Sequence, residues 1–174
     1  MAHRVFISFH HRNDDNYRNI FQFRFGNRFG VVAPSTVSDG DINPYADDET
    51  IRRRIRDDYL RDTTVTVVLV GTETWGRKHV DWEIASTLRH TRLNPRSGLL
   101  GIILPSHPSY RRRGPVDTVT MPARLADNVG CGYAQLYDWS EDDGDVSQWV
   151  HQAFLRRDTV EPDQSRELFR RNRN

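Results

Sequence analysis

The chain is poor in the residues that most often announce a function. Cys131 is its only cysteine among 174 residues, so neither an intrachain disulfide nor a cysteine metal cluster can form, and a reducing compartment is expected. Lys78 is the only lysine, so nearly every basic side chain is an arginine. No single sign of charge dominates, because 25 basic residues meet 24 acidic ones for a net charge of +1. That balance excludes a global field drawing the protein to nucleic acid or to a membrane surface. No stretch approaches the roughly 20 apolar residues that a spanning helix needs, and the first nine residues contain no long apolar run. A cytoplasmic protein is the expectation. What is present, 36% hydrophobic and 28% charged residues, suits one globular core.

The order of apolar runs predicts alternating strands and helices. Residues 4–9, "RVFISF", read as a buried first strand, and Asn13 or Asp14 as a cap for a helix presenting Tyr17, Ile20, Phe21 and Phe25. A short second strand is expected over 30–33, then a loop over 35–45 with Asp39-Gly40 as its sharpest turn. Residues 47–60 read as a helix with Ile51, Ile55 and Tyr59 on its inner stripe. Asp48–Arg52, Glu49–Arg53 and Arg54–Asp58 would be four-residue pairs on its solvated face. "TTVTVVLV", 63–70, is the clearest central strand, and the helix in "GRKHVDWEIASTLRH", 76–90, follows it. "LLGIILP", 99–105, is a further strand, followed by an irregular basic segment holding Arg111, Arg112 and Arg113, read as a solvated loop. Beyond Met121 a short helix, a last strand and a final helix over 146–157 complete one domain, 1–157. The remainder, 158–174, reads as a polar tail with one loosely docked helix.

Strands alternating with helices predict a parallel sheet of about five strands with helices on both faces. Such sheets bind ligands outside the carboxyl ends of their strands. In this chain those ends are Ser8-Phe9-His10, the 35–45 loop, and residues 71–75.

Several chemistries fail on residue pattern. The first crossover, "SFHHRNDDN", lacks the closely spaced glycines of a nucleotide phosphate loop. Ser8 lies within "FISFH" and not in a glycine elbow, against a serine hydrolase. His10, His11, Asp14 and Asp15 lack further ligands at metal-site spacing, so they read as loop and cap residues and no metal is expected. A phosphoryl-accepting receiver domain needs an aspartate ending the third strand, which here ends "VLVG".

Two stretches resemble a known family. "RVFISFHHRND" is similar to the opening strand and loop of TIR domains, and "TTVTVVLVGTETWGRKHVDWEI" to their central strand and the helix carrying a W-C-x-x-E-L type motif. The order and spacing resemble most the TIR-like ThsB group of the bacterial Thoeris anti-phage system. The resemblance covers residues 4 to about 104 and implies a flavodoxin-like three-layer fold. On that motif Glu83 takes the glutamate position, Ile84 the apolar position after it, Val80 the cysteine position and His79 the tryptophan position, which is a departure. Trp75 falls near the aromatic before the helix.

The resemblance implies an enzyme that cleaves NAD between nicotinamide and ribose, with Glu83 catalytic and NAD a substrate, not a cofactor. It further implies an ADP-ribose-type product, plausibly cyclic, that activates a separate effector protein, and self-association on activation. Ser8, Phe9, His10, Trp75 and His79 would line the substrate, and Asp39 and Gly40 would border it. A position in the first turns of a helix favours an ionised Glu83 through the helix dipole. Against this stand the bland readings: Glu83 a solvated helix residue, Phe9, Trp75 and Trp82 packing residues. A non-catalytic interaction module is the alternative function, and nucleoside deoxyribosyl transfer a third.

Overall fold

The computed structural model describes residues 3–31, 37 and 40–174. Its centre is a parallel sheet in the order β2-β1-β3-β4-β5, built from β1 (Arg4–Ser8), β2 (Gly30–Val31), β3 (Val65–Val70), β4 (Gly98–Ile103) and β5 (Ala134–Asp138). Four are full strands and β2 is a two-residue edge. The expected second strand reached residue 33, of which 32 and 33 lie outside the described residues. Helices α1 (His11–Phe25), α2 (Asp48–Arg54), α3 (Lys78–Thr87), α4 (Ala123–Gly130) and α5 (Asp143–Thr159) pack on its faces. Every residue of β3 and β4 is buried, as the unbroken apolar runs predict for strands covered on both sides.

The two sides of the sheet bury different sets of side chains. Phe21 and Phe25 of α1 and Val146, Val150 and Ala153 of α5 pack against Val5, Ile7, Val67, Leu69, Leu100 and Ile102. On the other side Val80, Ile84 and Leu88 meet Val68, Val70, Leu99 and Ile103. At its start β4 presses directly on α5: a Cβ on Gly98 would lie 2.2 Å from the Ala153 carbonyl oxygen. Backbone cannot yield as a side chain can, so Gly98→Ala is expected to cost about 3 kcal/mol, read as a lowered urea midpoint.

Four expectations change in detail. First, α1 starts at His11 with His10 as its N-cap residue and no side-chain cap, so neither Asn13 nor Asp14 caps it. Asp14 is buried instead, accepting from the Thr74 hydroxyl at 3.3 Å while its carboxyl, desolvated, is pushed up to about 6.

Second, the helix expected over 47–60 becomes α-helical over Asp48–Arg54 and a π-helical turn over Ile55–Tyr59. The Asp47 carboxylate caps it by accepting from the Thr50 amide. Third, its charged side is only partly solvated. Arg54–Asp58 forms at 3.9 Å, whereas Glu49 is held by Arg89 and Asp48 by Arg170. Arg56 is 1% exposed and donates to the Leu60 carbonyl, the Ser97 hydroxyl and the Pro95 carbonyl. It supplies donors to carbonyls that two loops leave without strand partners.

Fourth, the segment after α5 carries no helix. It runs as an irregular strap past α4 and α3, with Leu168 and Phe169 buried. A helix would satisfy its own carbonyls, but here they serve other elements: Arg124 takes those of Arg166 and Glu167, and Trp82 Nε1 that of Phe169.

Candidate functional site

The carboxyl ends of β1 and β3 meet the beginning of α3. Ser8 is the last residue of β1 and pairs in register with Val68, while β3 leads through the turn Thr74–Gly76 into α3. Among the side chains of α3 the described structure gives Lys78 no cap from within its own helix, since Arg77 at the N-cap makes no side-chain cap bond. The strap supplies one: the Asn172 side-chain oxygen accepts from the Lys78 amide at 2.9 Å. Arg173 then donates its amide to the Gly76 carbonyl at 2.8 Å, so closely that a Cβ on Gly76 would collide with the Arg173 carbonyl.

Glu83 stands in the second turn of α3, where the helix lies between the sheet, α2 and the strap, and it is 1% exposed. The Ser8 hydroxyl donates to Glu83 Oε2 at 2.6 Å. The main-chain amide of Val37 faces the same carboxyl group. Glu83 Oε1 has no hydrogen-bond partner among the described residues. Burial pushes the carboxyl up to about 8, and the Ser8 and Val37 donors only partly oppose it. This reverses the expectation of an ionised group. Dipole stabilisation fades within the first turn, and Glu83 lies beyond it in a desolvated place. A protonated Oε1 is then a buried donor lacking an acceptor, an arrangement that persists only where something else supports it.

A cavity of about 240 Å³ adjoins this carboxyl. Phe9, His10, Val37, His79, Val80 and Asn172 are among its walls. Glu83 is not itself on the wall. The structure therefore brings Ser8 to Glu83 directly and Phe9, His10 and His79 to the cavity beside it. Phe9 serves both readings: it is 4% exposed in the core below α1, and it forms part of the cavity wall. His10 is held neutral by burial and by the nearby Arg77 charge, and its Nδ1 lies 3.8 Å from a Glu73 oxygen.

Trp75 lies farther out. It is half-buried and lines a second cavity of about 450 Å³ with Glu73, Arg77 and Arg173, not the one beside Glu83. Trp82 is a packing residue, 1% exposed, its indole N–H bonded to the Phe169 carbonyl at 2.7 Å. Asp39 lies outside the described residues. Gly40, its turn partner, has φ +97°, a left-handed conformation that glycine adopts without strain. The described residues hold no group of three or more metal-ligating side chains and no helix long and apolar enough to cross a membrane.

Sequence reasoning singled out none of four further contributors. Val37 comes from the 35–45 loop, Arg12 from the start of α1, Arg77 from the N-cap of α3 and Asn172 from the strap, and neither periodicity nor the motif assigns their side chains a role.

A parallel sheet in the order 2-1-3-4-5, with a glutamate on the helix leaving its central strand, defines a flavodoxin-like domain of TIR type. The family model for the Thoeris protein ThsB, TIR-like domain, matches residues 6–109, more than half of the chain, and the chain belongs to that family. It is thus a defence-associated TIR-like domain. No curated protein matches it.

Proposed function

We propose that this domain cleaves the nicotinamide–ribose bond of NAD and releases an ADP-ribose-derived signal, linear or cyclic, that acts on an effector protein. The observation that carries the reading is Glu83: a carboxyl group held through one oxygen by Ser8, with its other oxygen unpartnered among the described residues, beside a cavity at the ligand edge of the sheet. Nicotinamide leaves as a neutral base carrying the bonding electron pair, so the departure needs no strong general acid. What accelerates it is negative charge near the oxocarbenium-like ribose and an acceptor for a ribose hydroxyl, and Glu83 Oε1 supplies both once ionised. The cationic pyridinium of the substrate favours that ionisation, since an opposite charge lowers a carboxyl pKa. Water or a nucleophilic atom of the same nucleotide then captures C1′.

The test is chromatographic: purified protein with NAD should release nicotinamide and an ADP-ribose-type product, while nucleosides stay intact. Absence of nicotinamide under every activating condition, including infected-cell extract, would instead support an interaction module working through self-association or docking. One observation favours that second reading: Glu83 is 1% exposed and is not among the residues that line the cavity. Nucleoside breakdown would point to deoxyribosyl transfer.

A further inference from the structure

Two cavities meet at the edge of the sheet, and they share two arginines. The inner one, about 240 Å³, holds His10, His79 and Val80 on its walls and adjoins Glu83. The outer one, about 450 Å³, is lined by Arg12, Glu73, Trp75, Arg77, Arg173 and Asn174. Arg12 and Arg77 line both, so these two residues stand at the boundary between the two spaces. Arg12 leaves the β1 end at the start of α1, and Arg77 is the N-cap residue of α3. Two elements from opposite faces of the sheet thus bring two arginines to the same pair of cavities. Such a placement costs repulsion unless an anion offsets it.

Neither guanidinium is fully engaged by protein. Arg77 donates one Nη2 bond to the Arg173 carbonyl at 3.0 Å, and its buried Nε has no hydrogen-bond partner among the described residues. Arg12 is exposed, with no ion pair or hydrogen bond among those found between described residues. Arg173 also lines the outer cavity, its guanidinium 3.8 Å from the centre of the Phe169 ring. Glu73 is the acidic side chain of the outer cavity and stands toward His10, 3.8 Å from its ring nitrogen. Three arginines against one glutamate leave this boundary cationic.

We propose that Arg12 and Arg77 form the subsite for the diphosphate bridge of a dinucleotide, one half lying in the inner cavity toward Glu83 and the other in the outer cavity against Trp75. The inference rests on the NAD reading for the placement of the two halves. The chemistry is that of the guanidinium fork, whose paired N–H donors match the oxygens of a phosphate group. A diphosphate suits this boundary better than a single phosphate because two arginines from separate elements line it. The half-buried indole of Trp75 offers the outer nucleoside a flat apolar face. Its distance from the inner cavity then has a reason: it serves the half of the ligand that does not react.

The experiment uses the full chain carrying Glu83→Gln, so that NAD is bound without turnover, and measures affinity by calorimetry for NAD, ADP, inorganic pyrophosphate and adenosine. ADP and NAD are expected to bind, with pyrophosphate weaker. Arg12→Ala and Arg77→Lys should each weaken NAD and ADP about tenfold, and both effects should shrink as salt rises. Adenosine should be indifferent to either substitution. Arg77→Lys keeps the charge and removes the fork, and Arg12 is exposed, so unchanged melting temperatures will verify that both variants fold.

Failure of ADP to bind, or NAD and ADP affinities unmoved in both folded variants, overturns the subsite. Binding of pyrophosphate that competes with neither ADP nor NAD overturns it as well, by placing the anion elsewhere. The underlying reading fails separately. Loss of ADP affinity in the arginine variants of a protein that never cleaves NAD would retain the subsite and discard the reaction. NAD cleavage whose KM ignores both arginines would do the reverse.

Discussion

Replacing Glu83 by glutamine should lower nicotinamide release by ~10³-fold or more while making the protein more stable above neutral pH. Both effects come from the same burial. Glutamine retains the shape and an oxygen for the Ser8 hydroxyl, so the local packing around α3 persists. It cannot become an anion beside the developing ribosyl cation, and that is the contribution the reaction would lose. The stability effect follows from the sign of the pKa change. The Glu83 carboxyl is pushed from its ordinary 4.5 up to about 8 in the folded chain, so folding favours its protonated form. Its stability contribution is therefore present at low pH and is lost as pH rises toward and through about 8.

Between pH 5 and 8 the loss is on the order of 3 kcal/mol. Asp14, pushed from 3.8 up to about 6, adds a smaller loss of the same sign that is mostly complete by neutral pH. Urea midpoints measured across this range should fall with pH in the wild type and much less in Glu83→Gln. Full activity in the variant would remove Glu83 from the chemistry, and parallel stability curves would mean its carboxyl is not desolvated. A further consequence concerns the substrate: if NAD ionises Glu83 on binding, the complex forms with proton release below pH 8. Its affinity then rises with pH over that interval.

The residues legible in the sequence were those whose role is periodic or sits at a strand end. "VTVVLV" could be only a strand covered on both faces, and the family model over residues 6–109 agrees with the TIR-like resemblance. The ionisation state of Glu83 was not legible, because it depends on what covers the helix. That covering comes from Val37 and from the strap, 46 residues before and about 85 after it in the chain. The arginine-rich face of α2 was misread for the same reason. Pair spacing of four predicts partners within the helix, but Arg170 and Arg89 compete for the same carboxylates, and Arg56 turns inward where loop carbonyls lack donors. The strap itself has a polar composition that reads as a tail with a loosely docked helix. Several of its interactions run through main-chain atoms, which composition does not record.

Arg124→Ala should be the most destabilising single change on the strap side of the molecule, about 3–5 kcal/mol, and should release the strap along with it. Arg124 of α4 is 1% exposed and Asp81 of α3 is 4% exposed. The guanidinium donates through Nε to Asp81 Oδ1 at 2.9 Å and through Nη2 to Oδ2 at 3.3 Å, a bidentate pair. Its remaining donors take the Arg166 carbonyl at 2.8 Å and the Glu167 carbonyl at 3.0 Å, while Asp81 Oδ2 also accepts from the Phe169 amide at 2.8 Å. Removing the arginine leaves a buried carboxylate with one main-chain donor, the Glu167 carbonyl with no donor among the described residues, and the Arg166 carbonyl with only Arg52 at 3.3 Å.

Removing both charges should cost less than removing one, so Arg124→Met combined with Asp81→Asn is expected to regain part of the loss. Urea unfolding reads the stability, and hydrogen exchange at residues 166–173 reads the strap. The two readouts separate a structural pair from one that also holds the site. Because Asn172 caps α3 and forms part of the inner cavity wall, strap release should raise KM for NAD even where enough folded protein remains to assay. A cost below about 1 kcal/mol, or an unchanged exchange pattern in the strap, would mean that water reaches the pair and that hydrophobic burial of Leu168 and Phe169 alone secures the segment.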